Sequence, residues 1–347
     1  MDLDLLLTDI DDDLLGVELE KQGFSSANDR IKARGLTSSP LSYAQQRLWF
    51  LQQLSPEGSA YNSLYVFSLS GEVSQKKLQS ALRLLLQRHH VLASTFKSQS
   101  ETVMQTVQEK SVNLEKIDLR NLTTKGQEAR LHSLIDTELS HGFDLENEIP
   151  IRTSLLLCAD QQAYFTLNLH HIVMDAWSVG ILLRDFVACY HAANSQQELA
   201  LPPLPIQYSD YALWQRELLT SEVMEQQLFY WQNYVSDIPF KLNLPTDYQR
   251  PLIQSEDGSL FKFSIRNDLC EQITHYAQQQ NISPFPLFMA SWQIVLQLYS
   301  RQNSFLIGVP NANRNRFEVE ELIGCFINTQ LFKADLTFCY TLKSLIS

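Results

Sequence analysis

Tyr164-Phe165-Thr166-Leu167-Asn168-Leu169-His170-His171-Ile172-Val173-Met174-Asp175-Ala176-Trp177-Ser178 runs from an apolar stretch into two adjacent histidines, with a carboxylate four residues after the second. Tyr164 to Leu169 reads as a strand. Ser178 is placed to cap a helix reaching about Ala193, with Ile181, Leu182 and Phe186 facing inward. A strand that delivers polar side chains to the start of a helix points to an α/β fold. Histidine exchanges a proton near neutral pH without large perturbation. The doublet beside Asp175 is therefore a candidate site for acyl-transfer chemistry. A second reading stands beside it, in which two histidines simply close a strand and hydrogen-bond nearby carbonyls.

Working outward, Ile151 to Cys158 forms a hairpin with that strand through Asp160-Gln161-Gln162. Upstream, Leu41 to Leu51 has helical spacing with Ser42 as cap, and Leu64 to Leu69 is a strand ended by Gly71. Ser74 is a cap for a helix through about His89, with Leu78, Leu82 and Leu85 on one face. Short strands at Val103 to Val107 and Val112 to Leu119 precede a helix from about Gln127 to His141. Leu201-Pro202-Pro203-Leu204-Pro205 is the best lobe boundary, because its prolines continue neither a helix nor a central strand. Beyond it the pattern predicts helices at Tyr208 to Leu219 and Ser221 to Val235, a loop at Pro245 to Pro251 and a strand at Leu260 to Ile265. Helices near Leu269 to Gln280 and Pro286 to Tyr299, a strand at Phe305 to Val309 and a polar turn at Pro310 to Arg316 follow. The interleaving predicts mixed sheets flanked by helices. The expected division is 1–36 as leader, 37–205 as a first lobe and 206–347 as a second.

Composition limits the partners. The chain has 347 residues, 44% of them hydrophobic, enough for two lobes each with a core. A net charge of −12 argues against nucleic acid and against an anionic membrane surface. No apolar run approaches the length of a membrane span. Cys158, Cys189, Cys270, Cys325 and Cys339 lack metal or disulfide spacing, so they read as reduced, mostly buried thiols of a cytoplasmic protein without a metal site. The first twenty residues carry eight acidic side chains and no basic one, interleaved with leucines. That segment reads as an acidic amphipathic helix docking a basic partner, or as a solvated leader.

Five stretches together resemble the condensation domains of nonribosomal peptide synthetases, within the chloramphenicol-acetyltransferase-like superfamily. Ser42 to Leu51 with Ala60-Tyr61-Asn62 resembles the first core motif, and Arg88-His89 with Leu92 and Phe96 the second. His170 to Ser178 resembles the His-His-x-x-x-Asp-Gly motif, Tyr208 to Gln215 the fourth and Ile323 to Gln330 the fifth. Ala176 stands where the family has Gly, and would be strained if the backbone needed φ > 0. His90 and Ala93 stand where the second motif has Glu and Arg.

The resemblance implies two chloramphenicol-acetyltransferase-like lobes in a V-shaped pseudo-dimer, with the second lobe truncated at Ser347. It implies amide-bond formation, in which the amine of an acceptor aminoacyl group attacks a donor acyl thioester. Both groups would ride on the phosphopantetheine of donor and acceptor peptidyl carrier proteins, with no cofactor bound by the domain itself. An adenylation domain is expected downstream, and an upstream synthetase is expected to dock on residues 1–36 at the start of its own polypeptide. By the same resemblance His171, His170 and Asp175 form the catalytic group, with His171 acting on the amine. His170 would mainly pack, and Asp175 would pair with Arg314 or Arg316 from the other lobe. Arg47, Trp177, Ser178, Asn328 and Gln330 would line the tunnel or support the loop. An epimerisation domain of the same superfamily and a noncatalytic carrier-recruiting module are the competing readings. The heterocyclising variant replaces the doublet with Asp and does not fit.

Overall fold

The computed structural model describes residues 30–347 except 110, 160, 196–198, 253–257, 338–340, 342–344 and 346–347. The acidic segment of residues 1–20, Asp160 and Cys339 lie outside the described residues. Two compact units emerge: residues 1–218 with 312–326, and residues 219–311 with 327–347.

The first unit is built on a four-stranded mixed sheet of order β2-β7-β6-β5: β2 Asn62–Ser70, β7 Gln162–His170, β6 Ile151–Leu157 and β5 Leu114–Asp118. β5 runs parallel to β6 and the other pairs are antiparallel, as the mixed pattern predicts. Both faces are covered, which is why the last six residues of β7 are all buried. On one face, Leu156 and Cys158 pack with Leu134 of a helix, Thr124–Ser140, and with Leu119. On the other, the Phe165 ring stacks 5.3 Å from Phe186, which belongs to the helix Ala176–Ser195. That helix packs on the helix Gln75–Arg88, whose Leu78, Ala81, Leu82, Leu85 and Leu86 recur at three- and four-residue spacing. Each fully buried leucine there contributes about 1.5–3 kcal/mol. Ser74 takes the N-cap position, but its side chain makes no capping bond.

A smaller antiparallel sheet pairs β1 Ser38–Pro40 with β4 Thr102–Val107 and β3 Ser94–Gln99. It leads into the helix α1, Tyr43–Leu54, closed at its start by a full capping box between Ser42 and Gln45. Residues 30–36 are not a free leader: Ile31 is buried, and Arg34 holds Asp210 through its backbone N–H and Glu217 through its guanidinium.

The proline run does not divide the units. The helix Tyr208–Leu218 beyond it packs on the first unit, where the Tyr43 N–H donates to Gln215 and Arg216 donates to the Leu41 carbonyl. Prolines end an element, whereas cores decide a boundary, and the change of core comes at Leu218 and Leu219.

The second unit holds the helices Ser221–Val235, Asn267–Gln279 and Pro284–Ser300 and a two-stranded antiparallel sheet, β8 Ser304–Asn311 with β9 Asn328–Asp335. Leu296, Phe305, Ala334 and Leu336 form its core cluster. The strand expected at Leu260 to Ile265 is not formed. Its apolar residues Leu260, Phe261 and Phe263 are exposed, and no partner strand pairs with it among the described residues. Alternating composition without a ladder partner does not make a strand.

Candidate active site

The histidine doublet sits where β7 ends. The His170 N–H donates to the Pro150 carbonyl and the His171 N–H to the Tyr61 carbonyl, the last bonds before the chain turns. A single 3-10 turn, His171–Val173, follows. His170 is wholly buried, and its Nδ1 accepts from the Ile172 N–H at 3.0 Å. Its Nε2 lies 3.3 Å from Gln52 Oε1. Burial, and secondarily the neighbouring His171, push its pKa down to about 3. It is a neutral, packed ring. The His171 ring is half-buried and has no hydrogen bond to any described residue. It is the more accessible ring of the pair.

The His170 shift has a sign that can be measured. The unfolded ring takes up a proton below about pH 6.5, and the folded ring only near 3, so the unfolded state binds more protons between those values. Stability contributed by neutral His170 is present above pH 6.5 and is lost as pH falls toward 3. His170 should add a slope of up to about 1.4 kcal/mol per pH unit in that window. The variant His170→Asn, which keeps an acceptor for the Ile172 N–H, is expected to flatten urea midpoints measured from pH 7 to 4. An unchanged slope would contradict the burial argument.

Asp175 is buried and saturated. Its Oδ1 accepts from the Ser178 N–H at 2.9 Å, the Ser178 hydroxyl at 2.7 Å and Arg314 Nη2 at 3.1 Å. Its Oδ2 accepts from the Phe326 N–H at 3.0 Å. Asp175 therefore ties the loop to Ser178, Arg314 and Phe326. It also corrects the expected cap: the helix starts at Ala176, and Asp175, not Ser178, accepts the free amide of the first turn. Ser178, inside that turn, accepts from Arg314 Nη2 and from the Gly324 N–H. Ala176 is exposed and not among the residues with positive φ, so its replacement of Gly carries no backbone strain.

Of the two arginines, Arg314 is the partner of Asp175. Its Nη1 donates to the Val319 carbonyl at 2.6 Å and the Leu322 carbonyl at 2.7 Å, and its guanidinium lies 4.1 Å from the Phe326 ring centre. Burial lowers its pKa and Asp175 opposes that. Arg316 instead lies 3.9 Å from Glu318 and 4.9 Å from the Trp214 ring. Both arginines belong to residues 312–326, part of the first unit, and so do not come from the other lobe. The same segment is fixed by Tyr208, a fully buried phenol that donates to the Cys325 carbonyl at 2.5 Å and shares a 2.8 Å bond with Ser42 Oγ. Burial drives its pKa well above the ordinary value. A Cβ on Gly324 would lie 2.0 Å from Tyr208 Cδ2, so only glycine fits. Gly324→Ala is expected to cost about 1–3 kcal/mol of stability in urea unfolding; an unaltered midpoint would mean that Tyr208 moves aside freely.

Of the remaining expected residues, Trp177 joins this group, its ring centre 5.8 Å from the Arg314 guanidinium. Arg47 is exposed on α1, and Trp177 is half exposed with its Nε1–H on the Glu320 carbonyl. Asn328 and Gln330 are exposed residues of β9 in the second unit, Gln330 accepting from Asn311. Sequence reasoning missed Gln45 and Gln52 as individual side chains. Gln45 Nε2 reaches both the Ile172 carbonyl and Gln105 at 3.3 Å, beneath the histidine turn. Among the described residues no cluster of His, Cys, Asp or Glu could hold a metal ion, and no helix is long and apolar enough to cross a membrane.

The family model for the condensation domain matches residues 36–347. Malpinin synthetase of Mortierella alpina is 37% identical over 308 residues, covering 88% of this chain and 4% of that protein. The chain thus spans a small fraction of the curated relatives it matches. Among solved structures, the X-domain from teicoplanin biosynthesis superposes with a TM-score of 0.80 at 23% identity, covering 91% of this chain and 70% of that one. The epimerization domain from the third module of tyrocidine synthetase B gives a TM-score of 0.76 at 19% identity, covering 91% and 71%. At these identities the structural matches speak for the fold alone.

Proposed function

The chain belongs to the condensation-domain family, and from that premise we propose that it forms an amide bond between two tethered acyl groups. The amine of an acceptor aminoacyl thioester attacks the carbonyl of a donor acyl thioester, the C–N bond forms, and the donor thiol leaves with the proton. The observation that carries this reading is the half-buried His171 ring, free of hydrogen bonds to any described residue, on a turn held by the Tyr61 carbonyl below and by Asp175 and Arg314 beyond. An imidazole so held can orient the attacking amine and stabilise the charge of the tetrahedral intermediate. The substrates arrive on phosphopantetheine arms of donor and acceptor carrier proteins, and the domain's own residues supply position and electrostatics.

The test uses the purified chain with one carrier protein loaded with acetyl-alanine and another with alanine. Transfer to give the acetylated dipeptide on the acceptor carrier is the expected result. The epimerisation reading predicts a second outcome: inversion at the donor α-carbon without coupling, read by chiral analysis of the released amino acid. Carrier binding without either product would leave a recruiting module and overturn the proposal.

A further inference from the structure

His170 is not exposed, yet its orientation is fixed at both ring nitrogens, and one of those bonds leads to a residue outside every motif discussed above. The Ile172 N–H donates to Nδ1, so a neutral ring must carry its proton on Nε2. That proton faces Oε1 of Gln52, a buried residue of α1, at 3.3 Å. The Gln52 amide has no freedom to turn. Its Nε2 donates to the Pro56 carbonyl at 2.9 Å and the Gly58 carbonyl at 3.4 Å, and reversing it would set oxygen against two carbonyls and N–H against N–H. The two carbonyls are themselves held, because the Gly58 N–H closes a turn on the Ser55 carbonyl at 2.8 Å. A Cβ on Gly142 would meet the Gly58 carbonyl at 2.8 Å, so the neighbouring chain backs that turn closely.

We propose that Gln52 is a positioning residue for the reaction: its amide accepts from the Nε2–H of the neutral His170 ring and holds that ring's orientation, and His170 in turn fixes the turn that presents the His171 ring. This rests on the amide-forming reading given above. The other groups around His170 leave the task to Gln52. Tyr61 and Phe143 each place a ring centre 6.0 Å away, Arg152 lies behind Phe143 at 4.1 Å and is paired with Glu148, and Asn62 pairs with His170 in register. None of these accepts from the ring, and Gln52 does. A neutral His170 also spares His171 a cation in the adjacent position, which would oppose any positive charge His171 takes up during transfer.

Two measurements test this. Long-range nitrogen–proton NMR of the full chain carrying nitrogen-15 histidine is expected to give the Nε2–H tautomer for His170 at pH 7, with Nδ1 bare. In Gln52→Met, of similar length and unable to accept strongly, the Nε2–H should lose its hydrogen-bonded chemical shift and its protection from exchange, while near-ultraviolet circular dichroism stays native. In the carrier assay, kcat should fall about 10- to 100-fold with KM for both carriers within twofold, a split that general loosening of the fold would not give. An Nδ1–H tautomer in the wild-type chain overturns the proposal without any variant. So does a Gln52→Met chain that keeps kcat within twofold, whatever its tautomer. If Gln52→Met fails to fold, the wild-type tautomer decides. A wild-type chain that makes no product overturns the amide-forming reading instead, while the NMR arm still judges the hold on His170.

Discussion

Replacing His171 by alanine is expected to lower the turnover of amide formation by about 10²- to 10³-fold, equivalent to about 3–4 kcal/mol of transition-state stabilisation. The folded state should barely change, because the half-buried ring makes no hydrogen bond to any described residue. The pH dependence separates two ways His171 could act. An α-amino group has a reference pKa of about 7.7–8.0, so roughly a tenth of it is already the free nucleophile at neutral pH. Preparing that form costs only about 1–1.5 kcal/mol. Ground-state proton removal is therefore a small part of the barrier, whereas alignment of two tethered reactants can contribute about 7–11 kcal/mol. If His171 orients the amine and stabilises the intermediate, the deficit of His171→Ala persists at pH 9, where the amine is free without help. Recovery to within a few-fold of wild type at pH 9 would reduce His171 to a ground-state base. Equal rates at pH 7 would remove it from the reaction.

The second large effect belongs to stability. Arg314→Ala should destabilise the first unit by about 3–5 kcal/mol, because it leaves Asp175 buried without a countercharge and strips donors from the Val319 and Leu322 carbonyls. Arg314→Lys is not expected to rescue it, since one ammonium cannot reproduce a planar fork that meets a carboxylate, a hydroxyl and two carbonyls. Adding Asp175→Asn to Arg314→Ala should recover part of the loss by removing the stranded charge. Urea midpoints of the two single variants and the double variant complete the cycle. A loss below about 1 kcal/mol for Arg314→Ala, or no coupling between the two sites, would mean that the pair is not what holds residues 312–326 in place.

Much of the first unit was legible because its information is local. The apolar runs of β6 and β7, the leucine stripe of Gln75–Arg88 and the Ser42 capping box are written within one or two turns of chain. The family resemblance, carried by five spaced motifs, paired Asp175 with an arginine, and Arg314 holds it. What stayed hidden depends on which distant side chain turns toward which. Asp175 capping the helix in place of Ser178 follows from a carboxylate already oriented by Arg314 and the Phe326 amide, 139 and 151 residues away. Gln52 reads locally as an ordinary helical polar residue, and only its 118-residue reach to His170 gives it meaning. The proline run looked like a boundary because prolines stop elements, but the following helix buries Tyr208 and Tyr211 in the first core. Leu260 to Ile265 failed in the opposite way: its alternation was right for a strand, and a strand still requires a neighbour.

Residues 312–326 are the connection between two paired strands of the second unit, yet they are anchored in the first. The polypeptide therefore passes between the units three times, and no single cut separates them. Grafting the second unit of one homologue onto the first unit of another at one crossover would join an Asp175 from one parent to an Arg314 from the other. Productive chimeras should take 175 and 312–326 from the same parent, so a clean exchange needs a junction at each of those three passages.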